Sequence, residues 1–149
     1  MELRHDMLTH GVNVVTAQHE GKRRGLAVAW ATQIATNRIV ICVGKQSTTR
    51  ELILASAAFG LSVLTREQLE VARIFGRQSS RDVDKFGGIG HHTAETGSPL
   101  LDECAWTFDC RVEDVYDQEN GAKLIVGRIV AAEHLKREYE PLVYREEDY

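Results

Sequence analysis

No run of apolar residues in this 149-residue chain approaches the length needed to cross a membrane. The opening residues, Met1 to Asp6, are charged and lack the apolar core of a secretory leader. Cysteine is scarce, and Cys42, Cys104 and Cys110 are too widely spaced for a secreted disulfide framework. A soluble protein of a reducing, cytoplasmic compartment is the expectation. Positive charge is not in excess either. A net charge of −4 leaves no basic stripe for phosphate backbones, so neither nucleic acid nor a membrane is an expected partner. Lys22, Arg23 and Arg24 form a short basic run behind Glu20 and Gly21, which reads as a solvated hairpin tip.

The common signatures of catalysis are missing too. There is no G-x-S-x-G elbow, and no serine, histidine and acid cluster in sequence. His91 and His92 are adjacent, so in an extended segment they face opposite ways and do not chelate one metal. Cys104 and Cys110 are too far apart for one ion, and Cys110 reads as core beside Phe108 and Val112. A dinucleotide fingerprint starting at Gly88 and Gly90 needs a third glycine where Thr93 stands, and no strand-turn-helix surrounds it. Neither a catalytic side chain nor a metal site is therefore expected.

What is present is an ordinary globular composition, 43% apolar and 27% charged, in a length that suits one domain over residues 1–149. Periodicity predicts strands at 12–17, 25–31, 38–43, 61–64, 106–113 and 124–132. Thr48 with Glu51, and Thr65 with Gln68, have the spacing of capping boxes and predict two short helices. The first ends near Gly60 and the second near Phe75. From Gly76 to Gly97 the chain is polar and glycine-rich, as functional loops often are. About six strands without regular β-α alternation predict a mainly β, antiparallel barrel or sandwich with attached helices.

One segment suits a phosphate. Lys45 to Arg50 joins a central strand to a capped helix, whose N-terminus presents free amides and the positive end of a dipole. Ser47, Thr48 and Thr49 add hydroxyls, and Lys45 and Arg50 add charge. The competing reading is that Thr48 only caps the helix.

Residues 25–34 followed by 38–43, then 45–53 with 58–64, together resemble the flavin reductase-like, FMN-binding split-barrel family. Phe75 to Ser80 with Asp84 to Phe86, Gly97 to Leu100, Phe108 to Val112 and Glu140 to Tyr144 follow in that family's order, so the resemblance covers nearly the whole chain. It implies a dimeric Greek-key antiparallel split barrel with FMN (FAD as the alternative) in a groove near the dimer interface. It places Ala29, Trp30, Ala31 and Thr32 near the flavin and Lys45, Ser47, Thr48, Thr49 and Arg50 around its phosphate. Arg77, Ser79, Ser80 and Lys85 complete the groove, and Thr48 then has a combined cap and phosphate role.

The chain departs from the family pattern twice. Ala29 and Trp30 stand where hydroxyl or amide side chains are frequent. The family's Gly-Asp-His turn is here Asn120 to Lys123, without the histidine. Two functions follow from the resemblance. One is an NAD(P)H-dependent flavin or ferric reductase, in which the cofactor supplies the chemistry. The other is an FMN-bearing electron carrier served by a redox partner protein, with no nicotinamide site of its own.

Overall fold

The computed structural model describes residues 1–77 and 84–149. Strands β1 (Asn13–His19) and β2 (Lys22–Val28) form the expected hairpin. Its loop is only two residues, Glu20 and Gly21, with φ of 49° and 80°. Positive φ at both positions matches the twist of the flanking strands. The basic run therefore belongs to β2 and not to the tip. Arg23 bonds Asp84 at 2.9 Å, and Arg24 donates to the Thr48 carbonyl at 3.1 Å.

The strand expected over 25–31 stops at Val28. After Ala29 and Trp30 the chain starts again as β3 (Ala31–Ala35), which pairs with β4 (Arg38–Val43). Helix α1 (Thr48–Ser56) ends where Ala57 takes the left-handed conformation at φ 55°, three residues before the expected stop at Gly60. The earlier stop frees β5 (Ala58–Val63) to bury Phe59 completely. A 3₁₀ turn (Arg66–Gln68) leads into α2 (Leu69–Arg77), and Gln68 Oε1 accepts from the Thr65 amide at 2.9 Å, as the second capping box requires. Two short strands, β6 (His91–His92) and β7 (Leu100–Leu101), pair with each other. The long strands β8 (Trp106–Asp117) and β9 (Lys123–His134) complete the set. The described residues thus hold nine strands, against about six expected. The surplus is short pieces whose sequence shows no alternation.

Seven strands make one antiparallel sheet in the order β2-β1-β5-β8-β9-β4-β3. Strands β5, β8 and β9 follow one another, and β4, joined to β5 through α1, lies beside β9, which is Greek-key order. The two edge strands, β2 and β3, are joined by just Ala29 and Trp30. So short a link forces the sheet to curl until its edges nearly meet, but the ladder does not close. The barrel is split, and the split lies at residues 29 and 30.

Inside the curl lies a core of Val15, Ile41, Ile53, Phe59, Cys110 and Ile125. Gly127 on β9 makes room for it, because a Cβ there would stand 2.6 Å from the Phe59 ring. A second cluster, with Val14, Leu64, Ala72, Phe75, Phe86 and Leu101, packs α2 and the following segment on the outside. Strand β1 is shared, Val15 and Ala17 facing one cluster and Val12 and Val14 the other. Buried Asp109 anchors the segment before β7 by accepting from the Glu95 and Thr96 amides, both at 2.8 Å.

Candidate functional site

A cavity of about 300 Å³ occupies the split. One wall is the end of β2, Leu26 to Val28. Ala29 and Trp30 form the rim, and Cys42 and Gly44 at the end of β4 form the floor. His5 and Tyr144, from opposite ends of the chain, supply the remaining wall. Two facts of the fold explain the place. The edges of the sheet cannot pair here, and Gly44 leaves open space where a Cβ would project.

Next to Gly44 is the N-terminus of α1. The Ser47 amide donates to the Gly44 carbonyl at 3.2 Å, which folds the chain back from the cavity floor into the helix. Ser47, and not Thr48, is the N-cap. Its extended backbone (φ −73°, ψ 122°) lets Oγ accept from the Arg50 amide at 3.2 Å. Thr48 is the first helical residue, with a buried side chain, and Glu51 pairs with Arg24 at 3.3 Å instead of closing a capping box. The Thr48 and Thr49 amides lie in the first turn, where no carbonyl four residues back can accept them within the helix.

Positive charge gathers at the same place. Arg50 donates to the carbonyls of Gly121 at 2.9 Å and Val43 at 3.4 Å, which holds its guanidinium beside the β8–β9 turn. The Lys45 side chain lies over Gly121, where a Cβ would stand 2.7 Å from its Cδ, and the φ of 88° there also favours glycine. Lys123 pairs with Asp117 and holds that carboxyl below its ordinary range. Lys45 is exposed, and it, Arg50 and Arg24, whose guanidinium donates to the Thr48 carbonyl, are cations near the helix start.

The other expected residues divide. Ala29 and Trp30 line the cavity, whereas Ala31 and Thr32 face a second, apolar groove of about 170 Å³ with Ile39, Leu61, Phe108 and Ile129. Arg77 donates to the Asp148 carbonyl at 3.1 Å and ties α2 to the C-terminal segment. Lys85 lies away from the cavity. It is 6% exposed, and its Nζ donates to the carbonyls of Gly25 at 3.0 Å and Phe75 at 2.9 Å. Burial pushes its pKa down to about 8. Ser79 and Ser80 lie outside the described residues. Sequence reasoning missed His5, Cys42, Gly44 and Tyr144. Cys42 and Gly44 had a signal, since they directly precede the phosphate-like segment; the other two had none. Burial raises the Cys42 pKa, so its thiol stays protonated at neutral pH.

His91 and His92 do diverge: His91 meets the Ile89 carbonyl and Arg23, whereas His92 meets Asp102 at 2.6 Å. Among the described residues no three histidine, cysteine or acidic side chains gather to hold a metal, and no helix is long and apolar enough to cross a membrane. All three cysteines are free thiols.

The cavity lies in a split antiparallel sheet, and the capped start of α1 adjoins its floor at Gly44. The flavin reductase like domain profile matches residues 3–149. The chain belongs to the flavin reductase-like family. A ferric-chelate reductase (NAD(P)H) of Archaeoglobus fulgidus is 31% identical over 141 residues, 92% of this chain and 82% of the relative. Four further relatives are longer, and the chain spans 40% to 57% of each. An FMN reductase (NADH) of Rhizobium rhizogenes is 26% identical over 71% of this chain and 62% of its own length. Among solved structures, a nitrilotriacetate monooxygenase component B homologue from Mycobacterium thermoresistibile is 28% identical. It superposes with a TM-score of 0.83 over 92% of this chain and 76% of that one.

Proposed function

We propose that this protein is an FMN-binding oxidoreductase, an NAD(P)H-dependent flavin or ferric reductase. The observation that carries the reading is the continuity of the cavity with the α1 N-terminus through Gly44 and Ser47. A flavin ring fits between Ala29, Trp30 and Cys42, and its phosphate falls to the Thr48 and Thr49 amides, Ser47, Lys45 and Arg50. When bound there, the flavin would supply hydride acceptance from a nicotinamide and onward electron transfer. The chain's own residues bind and orient it: the helix dipole and Arg50 hold the phosphate, and the apolar β2 wall keeps water from one side of the ring. A nicotinamide-linked reductase name on two relatives supports the same reading.

An absorbance titration with FMN, followed by anaerobic addition of NADH or NADPH, tests it. Flavin bands that shift to a stoichiometry of about one FMN per chain, and then bleach with reduced nicotinamide, are the expected result. No binding refutes the cofactor site. Binding without bleaching favours the second reading, an electron carrier served by a redox partner, which rests on the missing histidine in the Asn120–Lys123 turn.

A homodimer in the cytoplasm belongs to the same proposal. Strand β3 is an exposed edge whose Ala31, Thr32 and Gln33 line the second groove, with Ile34 53% exposed at its end and Trp30 45% exposed just before it. Such surfaces mark interaction sites. Sedimentation as a monomer at micromolar concentration refutes the dimer.

A further inference from the structure

The two ends of the chain meet over the cavity. The Tyr144 amide donates to the His10 carbonyl at 2.8 Å, and the Val12 amide to the Leu142 carbonyl at 2.8 Å, so the terminal segments are tied side by side at the base. Farther out, His5 Nδ1 meets Glu146 Oε1 at 2.8 Å, and the Glu146 amide donates to Asp6 Oδ2 at 3.1 Å. Arg4 in turn pairs with Asp6 at 3.0 Å. The C-terminal segment is pinned on both sides of Glu146, at Tyr144 and where Arg73 and Arg77 donate to the Asp148 carbonyl, so the N-terminal arm is the strap that runs from this base to the cavity rim. It touches that rim through the His5 ring, which tilts against Trp30 with centroids 5.6 Å apart.

The base of the strap and its tip are held differently. Backbone hydrogen bonds fix the base beside buried Val12 and Leu142. The tip rests on the His5–Glu146 contact, whose two side chains are 63% and 43% exposed, on the Glu146 amide bond to Asp6, and on a ring contact at a half-exposed Trp30. Exposed pairs of this kind contribute little. The tip therefore opens far more easily than the base.

We infer that this strap is a gate on the cavity, with His5 as the positioning residue that latches it through Glu146 and Trp30. The ligand class it gates is the planar flavin ring, so the inference rests on the function proposed above. It deepens that function by addressing exchange: flavin enters and leaves when the His5 latch opens, which makes it an exchanging substrate whose residence is set by the strap. A gate differs from an ordinary wall contact in its kinetics. Loosening a gate speeds entry and exit together, whereas removing a contact speeds exit alone.

Stopped-flow fluorescence of FMN mixing with, and displaced from, the full-length protein reads both rates. In His5→Ala and Glu146→Ala the association and dissociation rates are expected to rise together by about twofold to fivefold, the range an exposed polar pair permits. The equilibrium constant then moves less than either rate, and the thermal melting curve stays in place. Faster dissociation with unchanged association overturns the gate and makes His5 a plain contact. Unchanged rates in both variants overturn it as well. Failure of the wild-type protein to bind FMN at equilibrium instead refutes the proposed function itself, so the two failures are separable.

Discussion

Replacing Lys85 by methionine removes one charge from the protein interior while keeping the stem that packs there. The Lys85 ammonium is 6% exposed and faces the carbonyls of Gly25 and Phe75, with the Phe75 ring 5.9 Å away. Burial lowers its pKa from 10.5 to about 8. Below pH 8 the group is charged in both the folded and unfolded chain, and the folded state carries the full penalty of keeping it from water. Between pH 8 and 10.5 the folded chain has released the proton and the unfolded chain has not. Stability therefore rises with pH across that window and levels off above it. The gap corresponds to about 3 kcal/mol, or about 1.4 kcal/mol for each pH unit. Deprotonation loses no hydrogen bond, because a neutral amine still has two N–H groups for its two carbonyl acceptors. Lys85→Met cannot show this rise. Urea unfolding of both proteins between about pH 7 and pH 10 isolates it, since the other titrating groups cancel in the difference. A wild-type advantage that grows from pH 8 upward is the expected result, and parallel curves refute the reasoning. FMN affinity of Lys85→Met is expected to match wild type at pH 7, because Lys85 does not line the cavity; a large loss reinstates it as a flavin ligand.

Three further substitutions probe the site and its support. Ser47→Ala removes the α1 cap, so urea midpoints are expected to fall by an equivalent of about 1 kcal/mol and FMN affinity to drop with them. Arg50→Gln is expected to weaken FMN about tenfold or more while leaving riboflavin binding unchanged, since a charge-assisted bond to phosphate is at stake; equal weakening of both ligands in fluorescence titrations places the arginine elsewhere. Gly127→Ala puts a Cβ 2.6 Å from the Phe59 ring and 2.9 Å from Cys110 Cβ, and thermal unfolding is expected to show a loss of about 3 kcal/mol.

The fold was largely legible because its information is local. Alternation marked β8, a short β-branched run marked β1, a run apolar on both faces marked β4, and Thr65 with Gln68 marked the second helix start. The first start was misplaced by one residue. Ser47 and Thr48 are both good caps by composition, and only the fold-back from Gly44 selects Ser47. The strand break at Ala29 and Trp30 was hidden for a related reason. Leu26, Val28 and Trp30 alternate as a strand should, but the chain must leave one edge of the sheet and join the other there. Sheet closure is a property of all seven strands, and a local window holds no trace of it.

The site divides along the same line. Lys45 to Arg50 form a contiguous stretch, so their chemistry could be read as a unit. His5 and Tyr144 are separated by nearly the whole chain, and the pairing of residues 10–12 with 142–144 brings them to one cavity. Lys85 shows the opposite case. A lysine in a polar, glycine-rich segment suits an anion by residue type, but its ammonium turns inward to the carbonyls of Gly25 and Phe75. A buried carbonyl needs a donor as much as a phosphate needs a cation. Residue type alone does not separate the two demands; the direction of the side chain does. In this chain the cavity is lined by the end of β2, the β2–β3 link, the end of β4 and the two terminal segments, and the start of α1 adjoins it at Gly44. The proposed flavin phosphate would meet the first-turn amides of α1 much as the Lys85 ammonium meets the carbonyls of Gly25 and Phe75.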